Sequence, residues 1–302
     1  MPPAAFLLVF ISALAHVSWN LIGKRSQPSA AFFLMATLAS GVFFSPFLWV
    51  YRSALAGFPA SVWLLLLFTG FAQAFYYTNL AGAYRSGDLS LAYPLVRAVP
   101  VVLVAVGSII LGRGHQLNQV AIIGMGLVVA GCLLIPFQNF RLGSLKKVRN
   151  TTVFMALLAA LGTTAYLLAD DTALRLLKSQ PGLPASQLAI PIIYIELETI
   201  LTSFFLTLVV LAHRQERREW QWVKNNTWRQ AVLSGLVITL GYLFVLTAMT
   251  LARDVSYVTA FRQISIPIGA ALGIMLFKEP AYPPKISGII IVFIGLIFVG
   301  LA

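Results

Sequence analysis

LSLAYPLVRAVPVVLVAVGSIIL, residues 89–111, is long and apolar enough to cross a bilayer, yet it carries Arg97 in its interior. VSYVTAFRQISIPIGAALGIMLF, residues 255–277, does the same with Arg262. An ionised side chain inside hydrocarbon costs about 2.5–3.5 kcal/mol on insertion scales, so it faces a cavity, a partner or a substrate path. Two arginines in matching places predict a site.

Outward from these stretches the whole chain has the same character. Of its 302 residues, 59% are hydrophobic and only 10% charged, with a mean hydropathy of +0.88; soluble domains carry about 25% charged residues. The expected class is therefore an all-α integral membrane protein. A span needs about 20 apolar residues, and ten stretches meet that need: 4–22, 30–50, 61–84, 89–111, 120–137, 151–174, 188–212, 230–251, 255–277 and 286–302. The runs are continuous rather than alternating, which argues against barrel strands. Ala13-Leu14-Ala15 resembles a signal cleavage site, but Met1-Pro2-Pro3 offers no basic n-region, so the first run is read as a helix. The single cysteine, Cys132, excludes an intrachain disulfide and a cysteine-cluster metal site.

A net charge of +12 would suggest nucleic acid in a soluble protein. Here the basic residues lie in short loops, where they act on topology and on lipid head groups, so nucleic acid is not an expected partner and membrane lipid is. Fourteen Lys and Arg lie in the loops after spans 1, 3, 5, 7 and 9, against five in the loops after spans 2, 4, 6 and 8. The positive-inside rule then puts the odd-numbered loops in the cytoplasm and both termini outside the cell (inner) membrane. Trp220, Trp222 and Trp228 mark an interfacial loop from His213 to Arg229.

Internal repetition gives the order. An offset of 166 aligns Tyr76, Leu80, Asp88 and Ser90 with Tyr242, Leu246, Asp254 and Ser256, and nearby offsets pair Gly124 with Gly288 and Gly131 with Gly295. Each pair falls at the same place in span order. Five spans per unit is odd, so the second unit is inverted relative to the first, as in secondary transporters whose site lies between inverted repeats. One transporter domain, 1–302, is expected: repeat one 1–140, a basic connector 141–150 and repeat two 151–302, with the cavity lined by spans 1, 3, 4, 6, 8 and 9.

This five-plus-five arrangement, with Ala-Tyr-Arg-Ser-Gly-Asp at 83–88, Leu-Ala-Arg-Asp at 251–254 and Lys278-Glu279-Pro280 ahead of Gly288 and Gly295, resembles the EamA-type members of the drug/metabolite transporter superfamily. Residues 16–25, HVSWNLIGKR, are similar to the opening of a subgroup associated with phosphonates. The first repeat departs from the family in having Arg113-Gly114-His115 where an acidic residue commonly follows the fourth span. The resemblance implies a transporter of small molecules, and it implies both termini in the cytoplasm, opposite to the charge count.

Polar residues within the spans would carry the chemistry. Ser90, Tyr93 and Arg97 share a helical stripe, as do Thr259 and Arg262 with Gln263 alongside. Counted from their own helix starts, Arg97 and Arg262 lie roughly 12 and 10 Å deep and approach the midplane from opposite sides. An anionic group would fit between their planar forks. The competing reading pairs each arginine with Asp170, Asp171, Glu196 or Glu198, or lets it snorkel. His16 and Asn20, beside Trp19, share a face of the first span, and Tyr166 and Asp170 share one of the sixth. Glu198, about 15 Å deep, with Glu196 and Asp170 as further candidates, would carry a coupling proton. Glu196 points about 200° away from Glu198.

No Walker sequence, HExxH or Gly-x-Ser-x-Gly is present. Neither catalytic residues, cofactor nor metal is expected, and transport would run on an ion gradient, exchange or passive flow. The leading expectation is a secondary transporter of a small polar, anionic metabolite working by alternating access. An exporter of amino acids or cationic drugs is the alternative; an intramembrane lipid-modifying enzyme is the reading from a different class.

Overall fold

The computed structural model describes all residues except 24, 25, 27, 28, 87, 88, 141–149, 181, 182, 184–187 and 279, and for 20–23, 89–94, 150, 273, 276 and 277 it describes the backbone alone. The expected connector therefore lies almost wholly outside the described residues, as do Asp88 and Glu279. Continuous apolar runs fold as helices because a helix satisfies its backbone groups internally where no water can. In chain order these are α1 (Pro3–Gly23), α2 (Ala30–Val50), α3 (Ala60–Ser86), α4 (Leu89–Ser108), α5 (Gln119–Leu134), α6 (Asn150–Lys178), α7 (Ala189–Ala212), α8 (Arg214–Asn226), α9 (Trp228–Leu251), α10 (Val255–Phe261), α11 (Ser265–Phe277) and α12 (Pro283–Leu301). Among the described residues there is no strand.

Among the described residues, seven helical stretches are long and apolar enough to cross a membrane: 30–50, 60–86, 95–116, 151–178, 189–212, 228–251 and 283–301. Over the described residues α1 and α5 are apolar but shorter. The ninth expected span is divided by a 3-10 turn, Arg262–Ile264, between α10 and α11. Pro267 accounts for the division: it has no N–H to offer the carbonyl four residues back, at Gln263, and its ring crowds that turn.

Side-chain caps set several starts. Ser29 accepts from the Phe32 N–H at 3.1 Å at the head of α2, Asn118 from the Ala121 N–H at 2.7 Å at α5, and Asp254 from the Ser256 N–H at 2.8 Å at α10; each satisfies an orphan donor. The expected loop from His213 to Arg229 is instead mostly the helix α8. Its sequence is polar, but Glu216 and Val223, seven residues apart, fall on one face and are both buried, and that face docks the helix.

Packing runs between the halves. α3 lies against α6 and α7, α1 and α2 against α9, α2 against α7, α4 against α6 and α10, and α5 against α12. At the α5–α12 seam the backbones meet at glycines. A Cβ on Gly124 would stand 2.8 Å from the Gly295 carbonyl oxygen, and one on Gly131 would stand 2.7 Å from that of Gly288. The outer faces carry exposed apolar side chains such as Val42, Leu64 and Ile110, as expected of surfaces that meet lipid.

Candidate functional site

Where the two halves meet lies a partly open cavity of about 70 Å³. At 10–15 Å³ per water this is room for about five to seven waters, the scale of a small solute. Its wall includes Arg97 of α4, Arg262 of the 3-10 turn, Thr259 of α10, Gln263, His16 and Trp19 of α1, Tyr166 of α6 and Glu198 of α7. Arg97 and Arg262, 165 residues apart, are thus neighbours.

Arg97 reaches across the halves, where its Nη2 donates to the Ser265 hydroxyl at 2.7 Å and to the Arg262 carbonyl at 3.2 Å. The Nε–H of Arg97 is buried without a hydrogen-bond partner. The Arg262 guanidinium lies 5.6 Å from the centre of the Tyr242 ring, close enough for a cation–π contact. Among the described residues neither arginine has a carboxylate within ion-pair distance; Asp171, one of the partners considered for them, is taken by Arg113 and by Arg175, the latter at 2.8 Å.

The remaining expected residues separate into those on the wall and those behind it. The Trp19 indole donates to His16 Nδ1 at 3.1 Å, so the neutral imidazole carries its hydrogen on Nε2. Thr259 donates to its own helix at the Val255 carbonyl, 2.9 Å, and Gln263 Nε2 to the Thr259 carbonyl, 3.0 Å. Gln263 Oε1 is buried and unpartnered. Glu198 accepts from Gln73 Nε2 through Oε1, while its Oε2 has no partner. Asp170 does not reach the wall. It sits one turn beyond Tyr166, fully buried, accepting from Thr69 at 2.6 Å, Tyr194 at 2.9 Å and Tyr242. Glu196 is also off the wall, on the side of α7 that faces Gly41 of α2, as its angular separation from Glu198 requires. The side chains of Ser90, Tyr93 and Asn20 lie outside the described residues.

Several wall residues were not singled out from the sequence: Gln73, Tyr76 and Tyr77 of α3, Thr37 of α2 and Tyr242 of α9. Tyr76 and Tyr242 had a signal, since the repeat offset aligns them, but it was read as repetition alone. The wall is also wider than the six expected spans, because α2 and α7 contribute Phe33, Thr37, Ile195 and Thr199. Edge contacts link Tyr76, Tyr166 and Tyr242 around it, at centroid distances of 5.9 and 5.6 Å.

No curated protein matches the chain. Among solved structures, a crystal structure aligns with a TM-score of 0.68 over 100% of this chain and 98% of the other, at 14% identity, which speaks to fold alone. Residues 3–137 match the EamA-like transporter family.

Proposed function

We propose that this multi-pass membrane protein is a secondary transporter that carries a small polar, anionic metabolite by alternating access, with Arg97 and Arg262 holding the anionic group. The observation that carries the reading is the meeting of two intramembrane arginines, from corresponding places in the two halves, on one cavity wall with no carboxylate among the described residues paired to either. A charge that has been brought out of water and left without a counter-charge favours an anionic ligand.

The ten-span, inverted-repeat reading is part of the proposal. It takes α1, α5 and the divided α10–α11 as spans beside the seven long ones. The packing supports it, because exchanging the halves turns one contact into another: α3 with α6 becomes α9 with α1, and α3 with α7 becomes α9 with α2. The seam of α5 and α12 maps onto itself, Gly124–Gly295 onto Gly288–Gly131. The charge count favours odd-numbered loops in the cytoplasm.

The test is solute binding by purified protein, read as thermal stabilisation across phosphonates, phosphorylated metabolites, carboxylates, amino acids and cationic drugs. Arg97→Gln and Arg262→Gln should each weaken an anionic solute roughly 10- to 150-fold while the protein stays folded, and lysine should restore only part of the loss. Wild-type affinity in well-folded variants would end the proposal. Glu198 on the same wall favours a second reading, an amino acid whose ammonium group meets Glu198 while its carboxylate meets the arginines; in that case Glu198→Gln weakens amino acids and leaves simple anions untouched.

A further inference from the structure

Helix α8 is joined to α7 through His213 alone and to α9 through Thr227 alone, so it lies at the level where both spans leave the hydrocarbon. One face is committed to the protein. Glu216 accepts from the Arg85 guanidinium at 2.6 Å and from the Ala31 N–H at 3.1 Å, and Val223 is buried beside it. At 100° per residue, Arg214 and Arg218 lie within about 40° of each other on the opposite face, and Lys224 flanks them. All three are exposed, and among the described residues none has a carboxylate within ion-pair distance. Arg217 is occupied, donating to the Leu211 carbonyl at the end of α7.

Tryptophans accompany these charges. Trp222 is 44% and Trp228 47% exposed, and the Arg229 guanidinium stands 5.3 Å from the Trp228 ring centre. Indoles settle at the head-group level of a bilayer, and forked guanidinium groups pair with phosphate diesters. Three uncompensated cations between interfacial indoles complement an anionic phospholipid surface better than a zwitterionic one.

We propose that α8 is a binding platform for anionic phospholipid head groups, held by Arg214, Arg218 and Lys224. The bound leaflet then bears on the cavity through Glu216. That carboxylate ties α8 to the first turn of α2 and, through Arg85, to the last turn of α3, the two helices that supply Phe33, Thr37, Tyr76 and Tyr77 to the wall. This inference does not depend on the identity of the transported solute.

The experiment follows melting of the full chain in neutral detergent with phosphatidylglycerol, phosphatidylcholine or inorganic phosphate added. Phosphatidylglycerol should raise the midpoint and phosphatidylcholine should not. At about fivefold per basic side chain, the triple variant R214Q/R218Q/K224Q should bind phosphatidylglycerol on the order of 100-fold more weakly, and high salt should weaken the wild type. Equal shifts from the two lipids would overturn the proposal, as would a triple variant that keeps the preference. Inorganic phosphate reproducing the shift at matched concentration would also overturn it, in favour of a free-anion site. Should the triple variant fail to fold, hydrogen exchange over 214–226 in the wild type decides: phosphatidylglycerol must protect this segment, and unchanged exchange refutes the platform.

Discussion

Adding one methyl group to Gly124 and the same methyl group to Gly126 should move stability in opposite directions, although the two glycines share a helix. Alanine is favoured over glycine in a helix interior by up to about 1 kcal/mol, and at Gly126 nothing lies within 4 Å of the added carbon, so that gain is uncontested. At Gly124 the carbon would lie 2.8 Å from the Gly295 oxygen, 2.8 Å from the Val299 nitrogen and 2.9 Å from Phe298 Cβ. Two of these obstacles are backbone, so no rotamer change relieves them and α12 must retreat by roughly half an ångström. Overpacking of this kind costs about 1–3 kcal/mol, and opening the seam also gives up dispersion contacts along it. The net expectation is a loss of about 1–2 kcal/mol for Gly124→Ala and neutrality or a small gain for Gly126→Ala. Thermal melting of the purified proteins, followed by tryptophan fluorescence, checks the ordering. Equal midpoints would refute the reasoning, since they would mean that the α5–α12 seam spreads without resistance.

Three further outcomes are expected. Tyr242→Phe keeps the ring beneath Arg262 but takes one of three hydroxyl donors from the buried Asp170 carboxylate; stability should fall by about 1–3 kcal/mol, whereas an unchanged melting curve would show that Asp170 does not depend on that bond. Glu198→Gln should abolish proton-driven accumulation in proteoliposomes and leave solute exchange largely intact, and an unaltered proton dependence would remove Glu198 from coupling. Single cysteines at Asn150 and Asn225 should resist an impermeant thiol reagent in intact cells, with ready labelling of both reversing the orientation drawn from loop charge.

Much of this fold is legible in the sequence because a bilayer leaves so few choices. Apolar runs of span length must be helices, and the repeat offsets that pair Gly124 with Gly288 and Gly131 with Gly295 already mark the glycines of the α5–α12 seam. Pro267 does not announce the divided ninth span, because prolines within membrane helices are tolerated often enough to carry no clear warning. Helix α8 is hidden by polarity: only two of its positions, Glu216 and Val223, are buried, too few to show a period. At the site, Arg97 and Arg262 stood out because charge in hydrocarbon is expensive, and Glu198 for the same reason. Tyr76, Tyr77 and Tyr242 did not, because aromatic side chains cost nothing there and only tertiary packing turns them toward the cavity. Asp170 and Tyr166 share a helical stripe, yet a stripe says nothing about which residue along it meets the wall and which is shielded by Tyr242.

The 3-10 turn at Arg262–Ile264 divides its span unequally, into the 7 residues of α10 and the 13 of α11. In mechanical terms these are a short arm of roughly 10 Å and a long arm of roughly 20 Å. The short arm is anchored at its far end, where the Asp254 carboxylate accepts from the Ser108 hydroxyl of α4 at 2.9 Å. A bend of about 10° at the turn would therefore carry the tip of α11 by roughly 3.5 Å while the anchored arm stays in place. Arg97 is the pin of this lever, for its hydrogen bonds bracket the turn, one at the Arg262 carbonyl that opens it and one at the Ser265 hydroxyl where α11 begins. Any anion that draws the Arg97 guanidinium toward the cavity also draws out the pin.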